Sequence, residues 1–357
     1  MNRINKQMKK ILSLILVSIL LVVSFYLGKT HNEKGNYVID YQDVTNNIQY
    51  GDIAYVIGHK SPDTDTVVSS IAYATLKNEL GINCKSVVSG KINNETLFVL
   101  NYFDVSIPEV LDNAKGKNII IVDHSSYMHA IDGMKEANIV EIIDHHSLGD
   151  FETASPLFIR TLPIGATATI VYTLFIENNV KIDKTTAGLL LAGILSDTNS
   201  LSSSSTTTFD TNAYNNLVKL SEINDIETFY KNMLEKLNSY ENMSDSDIFY
   251  SDYKEYDMNN TKVGISSINV TDENEDTLSK EIQEFMINNY KSQQMEHLYL
   301  LINNHNSNKS SILYYGEGTE DIVMKAFGSS ERINFDYILS RKLDVVPMLE
   351  SAYKTIE

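Results

Sequence analysis

The chain has 357 residues, 43% hydrophobic and 21% charged, with a formal net charge of −18 and a single cysteine, Cys84. That length suits about two ordinary domains, and the composition supports a packed core and excludes a largely disordered chain. The acidity excludes a general nucleic-acid binder, and the lone cysteine excludes both a disulfide framework and a thiolate zinc cluster, so any metal site must be built from His, Asp and Glu.

Residues 11–27 form an uncharged apolar run, preceded by Arg3, Lys6, Lys9 and Lys10. At about 1.5 Å per helical residue the run reaches roughly 26 Å, close to the hydrocarbon core of a bilayer. The flanking cations keep the N-terminus inside, which predicts a signal anchor over residues 1–35, a transmembrane helix and a single-pass cell-membrane protein whose body is extracytoplasmic. Secretion after signal cleavage is the alternative, weakened by the lack of a small-x-small cleavage site.

Beyond a polar stretch, strand and helix patterns alternate. Residues 53–57 read as a buried strand and 67–80 as a helix; 118–123 (NIIIVD) and 140–144 (VEIID) are short apolar runs of parallel-sheet type. Helices are expected at 166–178 and 185–195, and the Ser/Thr run 200–208 as a surface loop. This predicts an α/β domain over residues 50–236 with a mainly parallel sheet. A polar, aperiodic linker spans 237–248. Strands at 262–269, 297–303 and 312–315 and a helix at 278–289 then predict a second, smaller α/β domain over 249–357.

Acidic and histidine clusters follow the apolar runs directly. GHKSPDTDT places His59, Asp63 and Asp65 after the first, Asp123-His124 ends NIIIVD, and Asp144-His145-His146 ends VEIID; Asp197 closes the helix AGLLLAGILSD. Singly, each has an ordinary explanation: Asp63 or Asp65 as a helix N-cap, a turn histidine as mere surface. Jointly they occupy equivalent strand ends, where an open parallel sheet collects its ligands. Carboxylates and imidazoles without thiolates suit manganese, magnesium or cobalt, and this many donors suit two ions with bridging carboxylates and a nucleophilic water.

GHKSPDTDT, VDHSS, EIIDHHSLGDFETASPLFIR, PIGATATI, AGLLLAGILSDT and the late SRKLDVVPML resemble the DHH phosphoesterase superfamily, and within it the family II, manganese-dependent inorganic pyrophosphatases. The resemblance runs from about residue 52 to the C-terminus. It implies a DHH catalytic domain followed by a DHH-associated phosphate-binding domain, and hydrolysis of pyrophosphate to two phosphates by a hydroxide held on two metal ions. It further implies that His59, Asp63, Asp123 and Asp197 bind one manganese and Asp65, Asp123, His145 and Asp197 the other. A further magnesium or manganese would arrive with substrate. His146 would protonate the leaving phosphate, while Lys254, Arg341 and Lys342 would clamp the phosphates from the second domain, which closes over the first. A homodimer through the first domain is also implied, with no nucleic-acid partner.

Departures from the family pattern are Ser61 for Asn, Ser125 for the Asn of DHN, a lysine missing near Ser202, and Leu343 for the last Lys of SRKK. They thin the positive shell and leave every expected ligand in place. The alternative activity is that of a related DHH phosphoesterase acting on polyphosphate, cyclic dinucleotides or short oligonucleotides. The glycine-rich GGGH segment of the nucleotide-cleaving relatives is missing, and Gly316 and Gly318 in YYGEGTE do not match it. A non-catalytic binding module would have lost ligands, and none is lost.

Overall fold

In the computed structural model, residues 47–240, 243–290, 295–331 and 333–355 are described. The apolar, β-branched runs build the first sheet from β1 (Ala54–Ile57), β2 (Cys84–Val88), β3 (Glu109–Val110), β4 (Asn118–Val122), β5 (Asn138–Asp144) and β6 (Phe158–Thr161). Their order is β3-β2-β1-β4-β5-β6, and every pairing is parallel. Ile119 to Val122 of β4 are fully buried, as a strand covered on both faces requires, by helices on one side and by loops and short turns on the other. The order reverses between β1 and β4, and the crevice at that reversal opens at the carboxyl ends of the strands.

Helices cover one face of this sheet. α1 (Thr64–Glu79) starts where the Asp63 carboxylate accepts from the Thr66 amide at 2.9 Å, and α2 (Asn94–Tyr102) is capped in the same way by Asn93. α3 (Thr167–Glu177) and α4 (Lys184–Asp197) are packed in the core, followed by α5 (Thr208–Ser221) and α6 (Ile226–Leu237).

A short helix, α7 (Asp245–Ser251), leads into the second sheet. Its strands β7 (Tyr253–Met258), β8 (Thr261–Val270), β9 (His297–Asn304), β10 (Lys309–Tyr315) and β11 (Ile333–Phe335) lie in the order β11-β10-β9-β8-β7. Only β8 and β9 run parallel. Along β9, Tyr299 and Leu301 enter one core, while Leu298, Leu300 and Ile302 enter the other, the period-2 pattern of a strand buried on both sides. α8 (Glu275–Asn289) packs on the second face. On the first lie α9 (Thr319–Phe327) and α10 (Val346–Tyr353), the latter entered through a π-type turn at Arg341–Val345.

A buried polar cluster lies within the first lobe. The Lys77 ammonium of α1 donates to Glu141 of β5 at 2.6 Å, and the Tyr73 hydroxyl donates to the same carboxylate at 2.7 Å. Tyr50, ahead of β1, also donates to Glu141 and accepts from Lys77 at 3.0 Å. Lys77 and Glu141 are 3% and 0% exposed, so each offsets the other's charge on leaving water, with the two tyrosine hydroxyls completing their hydrogen bonds.

The fold class needs one correction. The transmembrane expectation falls on residues 11–27, outside the described residues, and among the described residues no helix is long and apolar enough to cross a membrane. α1, with 16 residues, reaches only about 24 Å. The apolar stretches of α3 and α4 are buried in the core of the protein. The architecture is therefore α/β with one parallel and one mixed sheet, and the anchored, single-pass, extracytoplasmic reading is withdrawn.

Candidate metal centre

The loop after β1, the ends of β4 and β5, and the C-terminus of α4 meet at the β1/β4 crevice. Three groups of donors lie with their ligating atoms within 4.8 Å of one another: His59, Asp63 and Asp123; Asp65, His145 and Asp197; and Asp123, His145 and His146. Asp123 joins the two sides. Its Oδ2 is 3.5 Å from His59 Nε2, and its Oδ1 is 3.4 Å from His145 Nε2. Asp197 approaches His145 Nε2 at 3.3 Å and falls with Asp65 in the second group, not with His59 and Asp63.

Local structure aims these side chains. Asp123 sits one residue past β4 at φ +65°, a left-handed conformation that non-glycine residues rarely adopt, and its amide still bonds to Ile143 O at 2.8 Å. The turn tips its carboxylate back over the sheet edge, where the Thr66 and Thr167 hydroxyls donate to it at 2.5 and 2.9 Å. Asp65, fully buried in the first turn of α1, accepts from the amides of Thr167 and Ala168 at 2.7 and 2.9 Å and so supplies the cap that the N-terminus of α3 otherwise lacks. Gly193 of α4 makes room for it: a Cβ there would lie 2.7 Å from Asp65 Oδ1.

The histidine tautomers are set by carbonyls, which can only accept. His59 Nδ1 donates to Lys60 O at 2.7 Å and His145 Nδ1 to Ile164 O at 3.0 Å. Each ring therefore turns Nε2 toward the carboxylates, and His145 Nε2 is buried without a hydrogen-bond partner among the described residues. That is the arrangement a divalent cation requires of imidazole ligands, with the other nitrogen fixed by an outer partner. His146 Nδ1 donates to Asp144 Oδ1 at 2.9 Å, again leaving Nε2 free.

The electrostatics fit the same occupant. Burial, then repulsion from Asp197 and Asp123, pushes Asp65 well above the usual carboxylate range. Asp197 is pushed up chiefly by burial. Asp123 goes the other way: burial opposes its ionisation, but hydrogen bonding to His59 and the charges of His146 and His145 hold it well below that range. Without cations, protons must do the balancing here, and the donor set, all oxygen and imidazole nitrogen, suits manganese.

The second lobe supplies the cations. Lys254 of β7 places Nζ 3.5 Å from His59 Nε2, and Lys342 Nζ donates to His145 O at 3.0 Å. Arg341 is gripped by Asp252, donating to its carbonyl at 2.6 Å and its carboxylate at 2.5 Å. A cavity of about 640 Å³ is lined by Asp63, Asp123, His145, His146, Asp197, Lys254, Arg341 and Lys342. All the expected site residues but His59 and Asp65 thus border one space, and those two lie directly behind it.

The motif reading overlooked several participants. Thr66 and Thr167 read as ordinary helix-start residues, and Asp252 was passed over although it stands two residues before Lys254. His129 was also missed; its Nε2 donates to Glu255 O at 3.2 Å and links the lobes beside Lys254.

Residues 54–194 match the DHH family, N-terminal domain, and residues 231–352 match the DHHA2 domain. A manganese-dependent inorganic pyrophosphatase from Methanothrix thermoacetophila is 39% identical over 311 residues, covering 85% of this chain and 99% of that protein. A probable manganese-dependent inorganic pyrophosphatase from Clostridium acetobutylicum is 37% identical, covering 84% and 98%. Among solved structures, a putative family II inorganic pyrophosphatase from Methanococcus jannaschii superposes with a TM-score of 0.78 at 33% identity, covering 84% of this chain and 99% of that one.

Proposed function

The chain belongs to the manganese-dependent inorganic pyrophosphatases, with their DHH and DHHA2 domains, and from that membership we propose a role for each residue of the site. The reaction is the hydrolysis of pyrophosphate to two phosphates, and it is manganese-dependent. The observation that carries the residue assignment is the shared carboxylate: Asp123 faces His59 with one oxygen and His145 with the other.

His59, Asp63 and Asp123 would hold one manganese ion; Asp65, Asp123, His145 and Asp197 would hold the second. When bound, the ions supply Lewis-acid charge for the phosphoryl oxygens and lower the pKa of water. Arg341 offers a planar fork to phosphate oxygens, and Lys254 and Lys342 offer compact charges, so the second lobe binds and orients the substrate against the first. With Nδ1 donating to Asp144, His146 turns Nε2 to the cavity, where it would take up a proton from water and pass it to the leaving phosphate, returning to the neutral ring.

The catalytic lobe is assigned to residues 50–236, the linker to 237–248 and the phosphate-binding lobe to 249–357, with closure about the linker excluding bulk water. A homodimer is the expected assembly.

The test is direct. Metal-free protein reconstituted with manganese is offered pyrophosphate, polyphosphate and a cyclic dinucleotide in parallel. Pyrophosphate should be turned over fastest; preference for either of the others overturns the proposed site chemistry.

A further inference from the structure

One buried carboxylate near the centre has no part in the roles above. Glu95 lies in the first turn of α2 and is 1% exposed. Its Oε2 accepts from the Thr64 hydroxyl at 2.5 Å and from the Ser196 hydroxyl at 2.8 Å, and Thr64 Oγ1 lies 3.0 Å from Thr96 Oγ1. Thr64 stands between Asp63 and Asp65, and Ser196 immediately precedes Asp197. A single oxygen of Glu95 therefore ties the start of α1 to the end of α4, two segments that meet only in the folded chain.

The second oxygen, Oε1, is buried with no hydrogen-bond partner among the described residues. Leaving an acceptor unmet in the interior is costly, so the carboxylate is an expensive way to satisfy two hydroxyls. Beside it is a cavity of about 180 Å³, walled by Glu95, Asp63, Ser196 and Asp197. Both ligand-bearing segments border open space on that side, and Glu95 adds a polar tie to the direct packing of α1 on α4 near Gly193.

We propose that Glu95 is a positioning residue that sets the distance between Asp65 and Asp197, and so the affinity of the second metal group. This rests on the assignment of Asp65, His145 and Asp197 to one ion. Two of those three ligands adjoin the hydroxyls that Glu95 holds. In the first group only Asp63 does; Asp63 and Asp65 are each also fixed by backbone amides, whereas Asp197, which belongs to the second group, has no backbone donor among the described residues. Loss of Glu95 therefore acts unequally on the two groups.

The experiment is calorimetric titration of metal-free protein with manganese chloride, in wild type, E95A, E95Q, S196A and D123N, alongside thermal unfolding of each metal-free form. In E95A one site should weaken by about 10–100-fold and the other by less than about twofold, the range found when outer partners of metal ligands are removed. E95Q, which keeps an oxygen for both hydroxyls, should recover most of that loss, and S196A should reproduce it in part. Unchanged affinities in both E95A and S196A, or equal weakening of both sites in step with the unfolding temperature, would overturn the proposal. Should E95A fail to fold, S196A and E95Q decide the same question. Two intact sites in D123N would instead overturn the shared-carboxylate reading alone, so the failure of that reading and the failure of the positioning role are told apart.

Discussion

At the scale of single residues, the centre is built by turning a few side chains against their local preference. Asp123 and Ser61 both hold left-handed backbone, at φ +65° and +52°. Ser61 does so where the family pattern has Asn, a residue that tolerates this region better. The candidate ligands stood out because aspartate and histidine at strand ends have few other reasons to recur. Their supporting hydroxyls were not: Thr66 and Thr167 donate to Asp123 from sequences that read as plain helix starts. The division of labour between lobes predicts the behaviour of Arg341. It touches Asp252 and borders the cavity but approaches none of the expected ligands within bonding distance. Arg341→Ala should reduce kcat/KM by about 10–100-fold, the worth of one charge-assisted contact, while leaving manganese content unchanged. Metal analysis of the purified variant checks the second half of that statement.

Elements carry the next set of consequences. The strands around the site were readable as short apolar runs, and their observed ends lie within two residues of expectation for β1, β4 and β5. α5 and α6 were missed, although Ala213, Leu217 and Ser221, and Phe229 and Met233, are buried at helical spacing. The preceding Ser/Thr run masked the capping box formed by Thr207 and Asp210. Between α1 and β5, the buried Lys77–Glu141 pair makes a sharp prediction. Lys77→Met alone leaves the carboxylate without its cation and should cost about 3–5 kcal/mol in denaturant unfolding, whereas Lys77→Met with Glu141→Leu should recover only part of it, because the Tyr50 and Tyr73 hydroxyls lose their acceptor. Between the lobes, His129 should register in acid. Burial, reinforced by the charges of Lys254 and His59, pushes it from 6.5 down to about 3. Between those two values the unfolded chain holds the proton and the native chain does not, so stability falls as pH falls through that window. His129→Gln, which can still donate to Glu255 O, should flatten the plot of unfolding free energy against pH there.

Across the whole molecule, the reversal of strand order between β1 and β4 explains why ligands from residues 59 to 197 share one crevice. Alternation of strands and helices foretold the parallel sheet; the mixed second sheet, with its single parallel pair, was beyond pattern reading because pairing partners lie far apart in the chain. Coupling between metal and fold should be measurable. A ligand held at a hundred times its dissociation constant adds about 2.7 kcal/mol per site, so chelation should lower the thermal midpoint by several degrees and restored manganese should return it.

Tyr50 carries a practical consequence. Because its hydroxyl is clasped by Lys77 and Glu141 ahead of β1, the entering chain is fastened before it reaches the sheet. The clasp is placed like the strain relief on a cable: tension applied upstream should be taken up in part at Tyr50 before it reaches β1 and His59. Fusions, tags or surface tethers placed ahead of Ile48 should therefore leave turnover largely untouched, and Tyr50→Phe is the change that would let such a load be felt at the centre.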